Sequence, residues 1–438
     1  MQFKTGLSES VVKRISNLKN EPKWMLDIRL NALKIFNEKK LPLWGADLSD
    51  LNFNEICYYS NISGKQSQSW NDVPKEIKKT FDKIGIPKAE RKFLAGLGAQ
   101  YDSEVIYQNI SKMLSKKGVI FLDTDSALQK YPKILKEYFG TVISSSDNKF
   151  SALNSAVWSG GSFIYVPKNV KVELPLQAYF RINTRNLGQF ERTLIIADEG
   201  SSVHYTEGCT APNYTTNSLH CGVVEVIVKK RAHVRYSTVQ NWSKNVYNLT
   251  TKRMDVWDEG VGEWVDANIG SKATMKYPSV YLKGKKAKAN ILSLSVAGKD
   301  QHQDCGAKAI HLADETTSII NSKSISKNGG KNTFRGFVKV VKNVKNCIAK
   351  MSCHSLLLDN KSRANSFPVI DAFDTSSKVS HEALISSIEK DQLFYLTSRG
   401  ISKKDAQALI ISGFTEPIVK ELPLEYSIEL NRLLEMEL

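Results

Sequence analysis

Six cysteines (Cys57, Cys209, Cys221, Cys305, Cys347 and Cys353) are dispersed along 438 residues. None forms a CxxC pair, which speaks against a four-thiolate site within local sequence. Three places still combine residue types that do chemistry. In Glu207-Gly-Cys209-Thr-Ala-Pro212 a thiol lies between Gly and a Pro-bounded turn. As thiolate it is a nucleophile, although a free Cys in a reducing cell is commonly buried and inert. Cys353-His354 precedes the apolar run Leu356 to Leu358, and His381-Glu382 falls where strand-like sequence gives way to helical sequence. Thiolate, imidazole and carboxylate are the ligand set of iron or zinc. A single His-Glu pair equally serves as a cap or a surface feature.

A fourth block runs from Ala178-Tyr-Phe-Arg181-Ile-Asn183 through Gly188 to Asp198. Arg181 and Asn183 alternate with Phe180 and Ile182, so they share one face of a strand. An interior polar face has two readings: a satisfied polar ladder, or a polar tunnel. Gln240, Trp242 and Lys252 are polar or amphipathic residues of the same kind in later segments. Absent motifs narrow the chemistry further. There is no G-x-x-x-x-G-K-[ST], since Gly329-Gly330-Lys331-Asn332 lacks the spacing and the hydroxyl, and no H-E-x-x-H or G-x-S-x-G. The chain is not expected to hydrolyse nucleotide by itself.

The elements that must position these residues change type twice. Asn20-Glu21-Pro22 reads as a helix start, with Asn20 as N-cap, followed by a stripe of Trp24, Met25, Ile28, Ala32, Ile35 and Phe36. A second helix is expected from Asp72 to Gly85, and a third from about Ser103 to Lys117. From Gly118, apart from one helix around Ser126 to Phe139, short β-branched runs alternate with Gly, Asn, Asp and Lys. Turns such as Glu199-Gly-Ser-Ser-Val-His-Tyr205, Lys230-Arg-Ala-His-Val-Arg-Tyr236, Glu259-Gly and Asp314-Glu recur about every 30 residues or a multiple, the period of a stacked array. A β-solenoid follows, with a β-sandwich as the alternative. After His381-Glu382, helices are expected from Asp391 to Arg399, from Lys403 to Ile411 with Ser402 as cap and Gly413 as stop, and from Leu424 to Met436. They would cap the open end of the solenoid.

Composition sets the frame. At 41% hydrophobic residues and 24% charged, the chain has ample core material for two or three domains. No apolar run approaches the ~20 residues of a membrane span, and Met1-Gln-Phe-Lys-Thr-Gly has no apolar signal stretch, pointing to a reducing intracellular setting. The net charge of +16 raises nucleic acid as a partner. The lysines are scattered singly and in pairs without interleaved aromatics, so no nucleic-acid role is expected.

In order along the chain, Asn20-Glu-Pro-Lys-Trp-Met25, Tyr179-Phe-Arg-Ile-Asn183, Gly188 to Gly200, Glu207-Gly-Cys-Thr-Ala-Pro212, Ser237-Thr-Val-Gln-Asn-Trp242, Thr251-Lys-Arg253, Lys276-Tyr-Pro278 and Asp391-Gln-Leu-Phe-Tyr395 resemble the SufB/SufD family of the SUF iron–sulfur cluster assembly system. Cys209 and the Gln-Asn-Trp segment place the likeness on the SufB side. The resemblance implies a mainly β fold: a right-handed parallel β-helix (118–381) between an N-terminal helical region (1–117) and a C-terminal helical region (382–438) that docks the SufC ATPase. It implies a non-enzymatic scaffold that accepts persulfide sulfur and builds a transient iron–sulfur cluster, with reduced flavin as a second candidate cofactor of the complex and the electron source left open. Implied partners are SufC, SufD and a cysteine desulfurase with its sulfur-transfer protein, or a homodimer, in a bacterial cytoplasm or a plastid stroma.

By motif, Cys209 matches the sulfur acceptor. Arg181, Asn183, Gln240, Trp242 and Lys252 match tunnel residues. Cys353, His381 and Glu382 match ligands of the nascent cluster. Arg181 or Lys252 would lower the pKa of the acceptor thiol. The sequence departs from the family at His354, where an acid is usual, at Ser380, where Glu is usual, and at Cys305, where Thr is common. Its last residues, Glu437-Leu438, also fall short of the usual tail. A β-helix enzyme acting on polysaccharide is the rival reading, and it would need a cluster of acids or a basic group in an open groove.

Overall fold

The computed structural model describes residues 2–61, 96–211, 216–388 and 390–437. The expected helix from Asp72 to Gly85 lies outside them. Two helices open the chain, Glu9–Leu18 and Lys23–Glu38. Asn20 is not the cap of the second: it turns the chain at φ 49°, and the extended Pro22 occupies the cap position. The second helix packs on the helix Lys149–Val157, and Arg29 locks the contact. Its fully buried guanidinium donates to Glu21 Oε2 and Oε1 at 2.7 and 2.6 Å and to the carbonyls of Ala156 and Trp158. A buried cation is tolerated when its charge is paired and most of its donors are bonded in this way.

The expected helix from Ser103 to Lys117 is instead a hairpin and a short helix. Strands Gly96–Tyr101 and Glu104–Ile110 pair antiparallel around Asp102, which sits at φ 56°, and only Lys112–Lys116 is helical. The Val105, Ile106, Ile110 spacing suits either element, and pairing with the neighbouring sheet decides for the strand. The single helix expected around Ser126 to Phe139 is two, Thr124–Lys130 and Pro132–Tyr138, because Pro132 starts a new one.

The core is a parallel β-solenoid. Among the described residues one sheet has ten strands and the other twelve, and each coil of the chain adds a strand to each. In the first sheet, Leu176–Arg181, Ser202–Thr210, His233–Trp242, Val261–Gly270, Lys288–Ala297, Thr317–Ser326, Ile348–Leu357 and Lys378–Ser387 pair in parallel, strand on strand. That coil-to-coil pairing separates the fold from a sandwich.

The recurring turns are the corners of the coil. Gly200, Arg231, Glu259, Lys286, Glu315 and Asn346 all adopt left-handed backbone, with φ between 54° and 66°. The first five each donate their amide to a carbonyl at the next corner: Lys230, Asp258, Lys285, Asp314 and Lys345. A non-glycine residue in this conformation costs on the order of 1 kcal/mol or more. The stacked corner hydrogen bonds hold it there.

At the C-terminal side, three helices follow: Lys390–Ser398, Lys403–Val419 and Leu424–Glu437. They do not cap the solenoid end. Ile411, Ile418, Val419, Leu430 and Leu433 pack against Val239, Val265, Leu292, Leu294 and Ile325 on the outer face of the first sheet. Nor does Gly413 stop its helix, which runs on past Gly413 and Pro417 to Val419. A mid-helix Gly costs ~1 kcal/mol, less than burying Ile418 and Val419 returns. The last coil, Arg363–Ala372 with Lys378–Ser387, therefore stays open. Phe367, Val369, Leu384 and Ile385 are about half exposed on it.

Candidate functional site

In parallel pairing, partnered residues point to the same face. Cys209 pairs with Gln240, then Asn268, Ser295, Ser324 and Ser355 follow in register. The neighbouring column is Glu207, Thr238, Asp266, Ser293, Ser322 and Cys353. Both columns lie on the inner face of the first sheet and are almost wholly polar. All twelve side chains are buried. Rungs touch: Ser293 Oγ donates to Ser322 Oγ at 2.9 Å, and Ser324 Oγ to Ser355 Oγ at 2.8 Å. Five strand spacings of about 4.8 Å put Cys209 and Cys353 roughly 24 Å apart along the axis.

Around Cys209 the second sheet supplies the other wall. The Cys209 thiol donates to Glu207 Oε1 at 3.3 Å, and Gln240 Nε2 approaches Cys209 Sγ at 3.9 Å. Tyr236 OH donates to the other Glu207 oxygen. Gln240 Oε1 accepts from Asn248 Nδ2 at 2.7 Å and from Lys276 Nζ at 3.1 Å. Lys252 and Lys276 flank Asp266, each ammonium 3.4 Å from one of its oxygens. Trp242 packs against His220 with ring centroids 4.5 Å apart and planes tilted by 37°, and His220 reaches Asn248 and Glu191. Gln240, Trp242 and Lys252 are thus brought together with Cys209.

Arg181 is not. It pairs with Thr210, while Phe180 pairs with Cys209, so the guanidinium lies on the face turned away from the thiol, donating to Thr210 Oγ1 at 3.2 Å. The polar face of that strand is its outer one, which corrects the reading of Arg181 as a tunnel wall. Asn183 lies beyond the strand end, its backbone N–H bonded to Asp102 Oδ1 at 2.6 Å.

The electrostatics also correct an expectation. Burial pushes the Cys209 thiol well above its ordinary value, the carboxylates of Glu207 and Glu191 add to this, and Lys252 only partly opposes them. Glu207 is itself raised by burial. The resting thiol is therefore protonated, with a carboxyl oxygen in place to take the proton.

At the other end, Cys353 is 2% exposed and its thiol is raised by burial against the opposing hydrogen bonds of Ser366 and Ser355. His381 pairs with Met351, putting it on the same inner face as Cys353 in the next and last coil. Glu382 pairs with Ser352 and so faces outward, where its Oε1 lies 3.8 Å from His354 Nε2. Cys353 and His381 share a face; Glu382 does not. Among the described residues no group of three or more His, Cys, Asp or Glu is arranged to hold a metal. The sequence reading passed over Glu207, Asp266 and Lys276 as site residues. Glu207 and Lys276 stood in quoted motifs; Asp266 carried no local signal, because its partners come from the opposite sheet.

Comparison with known proteins places this geometry. The chain matches the family described as "SUF system FeS cluster assembly, SufBD core domain" over residues 180–414, and "SufBD protein N-terminal region" over residues 72–178. It is 58% identical over 433 residues to an iron–sulfur cluster assembly SufBD family protein of Staphylococcus aureus, covering 99% of this chain and 93% of that one. A SufBD family protein of Staphylococcus haemolyticus matches to the same extent. The chain belongs to the SufBD family. SufBD proteins serve iron–sulfur cluster assembly, and the non-enzymatic, scaffold-type role expected from the sequence agrees with that membership. No described helix is long and apolar enough to cross a membrane.

Proposed function

We propose that this chain is a SufB-type scaffold: Cys209 accepts persulfide sulfur, the polar interior conducts it, and a nascent iron–sulfur cluster is built beside Cys353. The observation that carries this is the pair of polar columns joining Cys209 to Cys353 through the inside of the solenoid. Cys209 and the Gln240-Asn241-Trp242 segment support SufB over SufD.

Loading is a thiol–persulfide exchange. Glu207 Oε1, 3.3 Å away, takes the Cys209 proton. The thiolate attacks the terminal sulfur of the donor persulfide; a new S–S bond forms at Cys209 Sγ and the donor's S–S bond breaks. The donor leaves as a thiolate that picks up one proton, and no electrons are gained or lost. Releasing that sulfur as hydrosulfide from the anionic persulfide consumes two electrons and two protons, one of them the proton held by Glu207, and restores the Cys209 thiol. The electrons come from a reductant outside this chain, a role that fits reduced flavin. The buried columns keep the sulfur from solvent thiols over the ~24 Å it travels.

The cluster is cargo, so a ligand set that can let go suits it. Cys353 and His381 supply sulfur and nitrogen from the interior, and Glu382 reaches the site when the open last coil meets a partner. The exposed apolar residues of that coil suit pairing with SufD or with a second copy of this chain. The C-terminal helices, with Phe394, Tyr395 and Leu409 exposed, suit the SufC ATPase. Motion of SufC would then open or close the site. The bacterial cytoplasm is the setting in which this would operate.

Anaerobic reconstitution with SufC, SufD, the desulfurase system and iron tests the reading. Cys209→Ser should take up no persulfide at that position, and Cys353→Ser should load Cys209 yet build no cluster by absorption or Mössbauer spectroscopy. Wild-type cluster yield in the Cys353→Ser complex refutes the site.

A further inference from the structure

Two ammonium groups in the interior share one carboxylate. Lys252 and Lys276 are both fully buried, and each lies 3.4 Å from a different oxygen of Asp266. That is long for a charge-assisted bond, which closes to about 2.7–2.9 Å. Apart from Asp266, Lys276 donates to Gln240 Oε1 at 3.1 Å, while Lys252 has only the rings of Tyr236 and Trp264. An ammonium carries three N–H donors, so among the described residues neither is saturated. Glu207 makes no hydrogen bond to either ammonium, its oxygens accepting from Tyr236 and Cys209, although its charge acts on Lys252.

Independent signs of a missing occupant lie beside them. Thr238 Oγ1, a hydroxyl able to donate to an anion, stands on an inner column in a buried side chain without a hydrogen-bond partner among the described residues. Asn268 Oδ1 and Asp266 Oδ2, likewise without a hydrogen bond among the described residues, are acceptors that call for a donor such as water or S–H. Buried polar atoms of this kind are normally satisfied by protein, water or ligand. Burial above all, with the charge of Lys252 and against the opposing pull of Asp266, lowers the proton affinity of Lys276. Thiols border the place on both sides: Cys305 is the register neighbour of Lys276, and the Gln240 amide that Lys276 holds also reaches Cys209.

We propose that Lys276 and Lys252 form a buried holding site for one singly charged sulfur anion, the terminal sulfur of a Cys209 persulfide or free hydrosulfide, on its way to Cys353. The persulfide source rests on the reading of Cys209 as sulfur acceptor; the hydrosulfide source does not. An anion here adds the hydrogen-bond acceptor and counter-charge that Asp266 at 3.4 Å, with Glu207 acting on Lys252 without a hydrogen bond, leaves incomplete.

The test uses the full chain under anaerobic conditions, with Lys276→Met, the charge-keeping Lys276→Arg, and Asp266→Asn. In the first arm Cys209 is loaded by a desulfurase with cysteine, and the half-life of its persulfide against added thiol is followed by mass spectrometry. In the second arm sodium sulfide is given to the Cys209→Ser chain, and sulfide retained after rapid desalting is measured. Lys276→Met should shorten the half-life or cut the retained sulfide by about tenfold, Lys276→Arg should restore most of it, and Asp266→Asn should act in the opposite direction. An effect confined to the first arm assigns the site to the persulfide, and one confined to the second assigns it to hydrosulfide. If Cys209 never loads in the wild type, the acceptor reading fails and the second arm alone decides the site. Equal behaviour of Lys276→Met and wild type in both arms overturns the proposal. So does a loss in Asp266→Asn of the same sign as in Lys276→Met, since that would report damage to packing and not charge.

Discussion

Cys209 and Cys353 stand in adjacent columns on the inner face of one sheet, with Gln240, Asn268, Ser295 and Ser324 on the one column and Thr238, Asp266, Ser293 and Ser322 on the other between them. A parallel solenoid makes such columns whenever a coil position stays polar from turn to turn. Four of the buried hydroxyls bond in pairs along the columns, Ser293 to Ser322 and Ser324 to Ser355, which makes their burial tolerable.

Blocking the columns should separate loading from delivery. Ser324→Leu places a branched side chain one coil short of Cys353, at a stability cost of about 1–3 kcal/mol. Persulfide on Cys209, read by mass spectrometry, should persist while cluster absorption is lost. Ser324→Ala removes one hydrogen bond, worth about 1 kcal/mol, and should leave delivery intact.

The buried thiol should respond to alkali. The folded pKa of Cys209 is raised, so the fold favours the protonated form. Its contribution to stability is complete below the ordinary thiol value of about 8.5 and is lost as pH rises from there toward the folded value. Urea midpoints between pH 7 and 10 should fall less steeply for Cys209→Ser than for wild type. Parallel curves would show that the thiol ionises freely in the folded protein.

Acid acts on the seam between solenoid and C-terminal helices. Arg235 donates to Glu263 at 2.9 and 3.1 Å and to Glu421, in the turn after the Lys403–Val419 helix, at 2.9 Å. Despite burial, His233 and Arg235 draw the Glu263 carboxyl down to about 2. The depressed value means stability that is present above the ordinary carboxylate pKa and is lost as pH falls from there through about 2. Arg235→Ala should flatten that acid limb and speed hydrogen exchange in the C-terminal helices. Its cost from the part-exposed Glu421 contact should stay within about 1 kcal/mol.

The helices themselves are held by burial. Leu430 is fully buried against the outer face of the first sheet, and Leu430→Ala should cost about 2–5 kcal/mol. A thermal melt that does not move would mean the segment is detached in solution.

The open coil is the place to disturb assembly. Ile385→Glu, on a side chain 46% exposed, should leave the melting temperature within error and weaken pairing with SufD or with a second copy. Sedimentation velocity reads the shift, and unchanged association would place the interface elsewhere.

Much of this was legible in the chain itself. The corner residues around Gly200, Arg231, Glu259 and Glu315 announced a coil, because each turn needs the same backbone conformation and spacing. Motif order announced the family, but strand alternation carried Asn183 onto a strand that ends at Arg181. Alternation cannot say which face is inside, and the side was settled by pairing of Phe180 with Cys209. The spacing of Val105, Ile106 and Ile110 fitted a helix until a neighbouring strand claimed it. Local sequence thus determined the repeating unit and the residue types available for sulfur chemistry. The tertiary structure decided which of them meet. Asp266 finds Lys252 and Lys276 only because two sheets close over each other, and the low-dielectric interior they create sets the Cys209 proton affinity that no spacing rule could reveal.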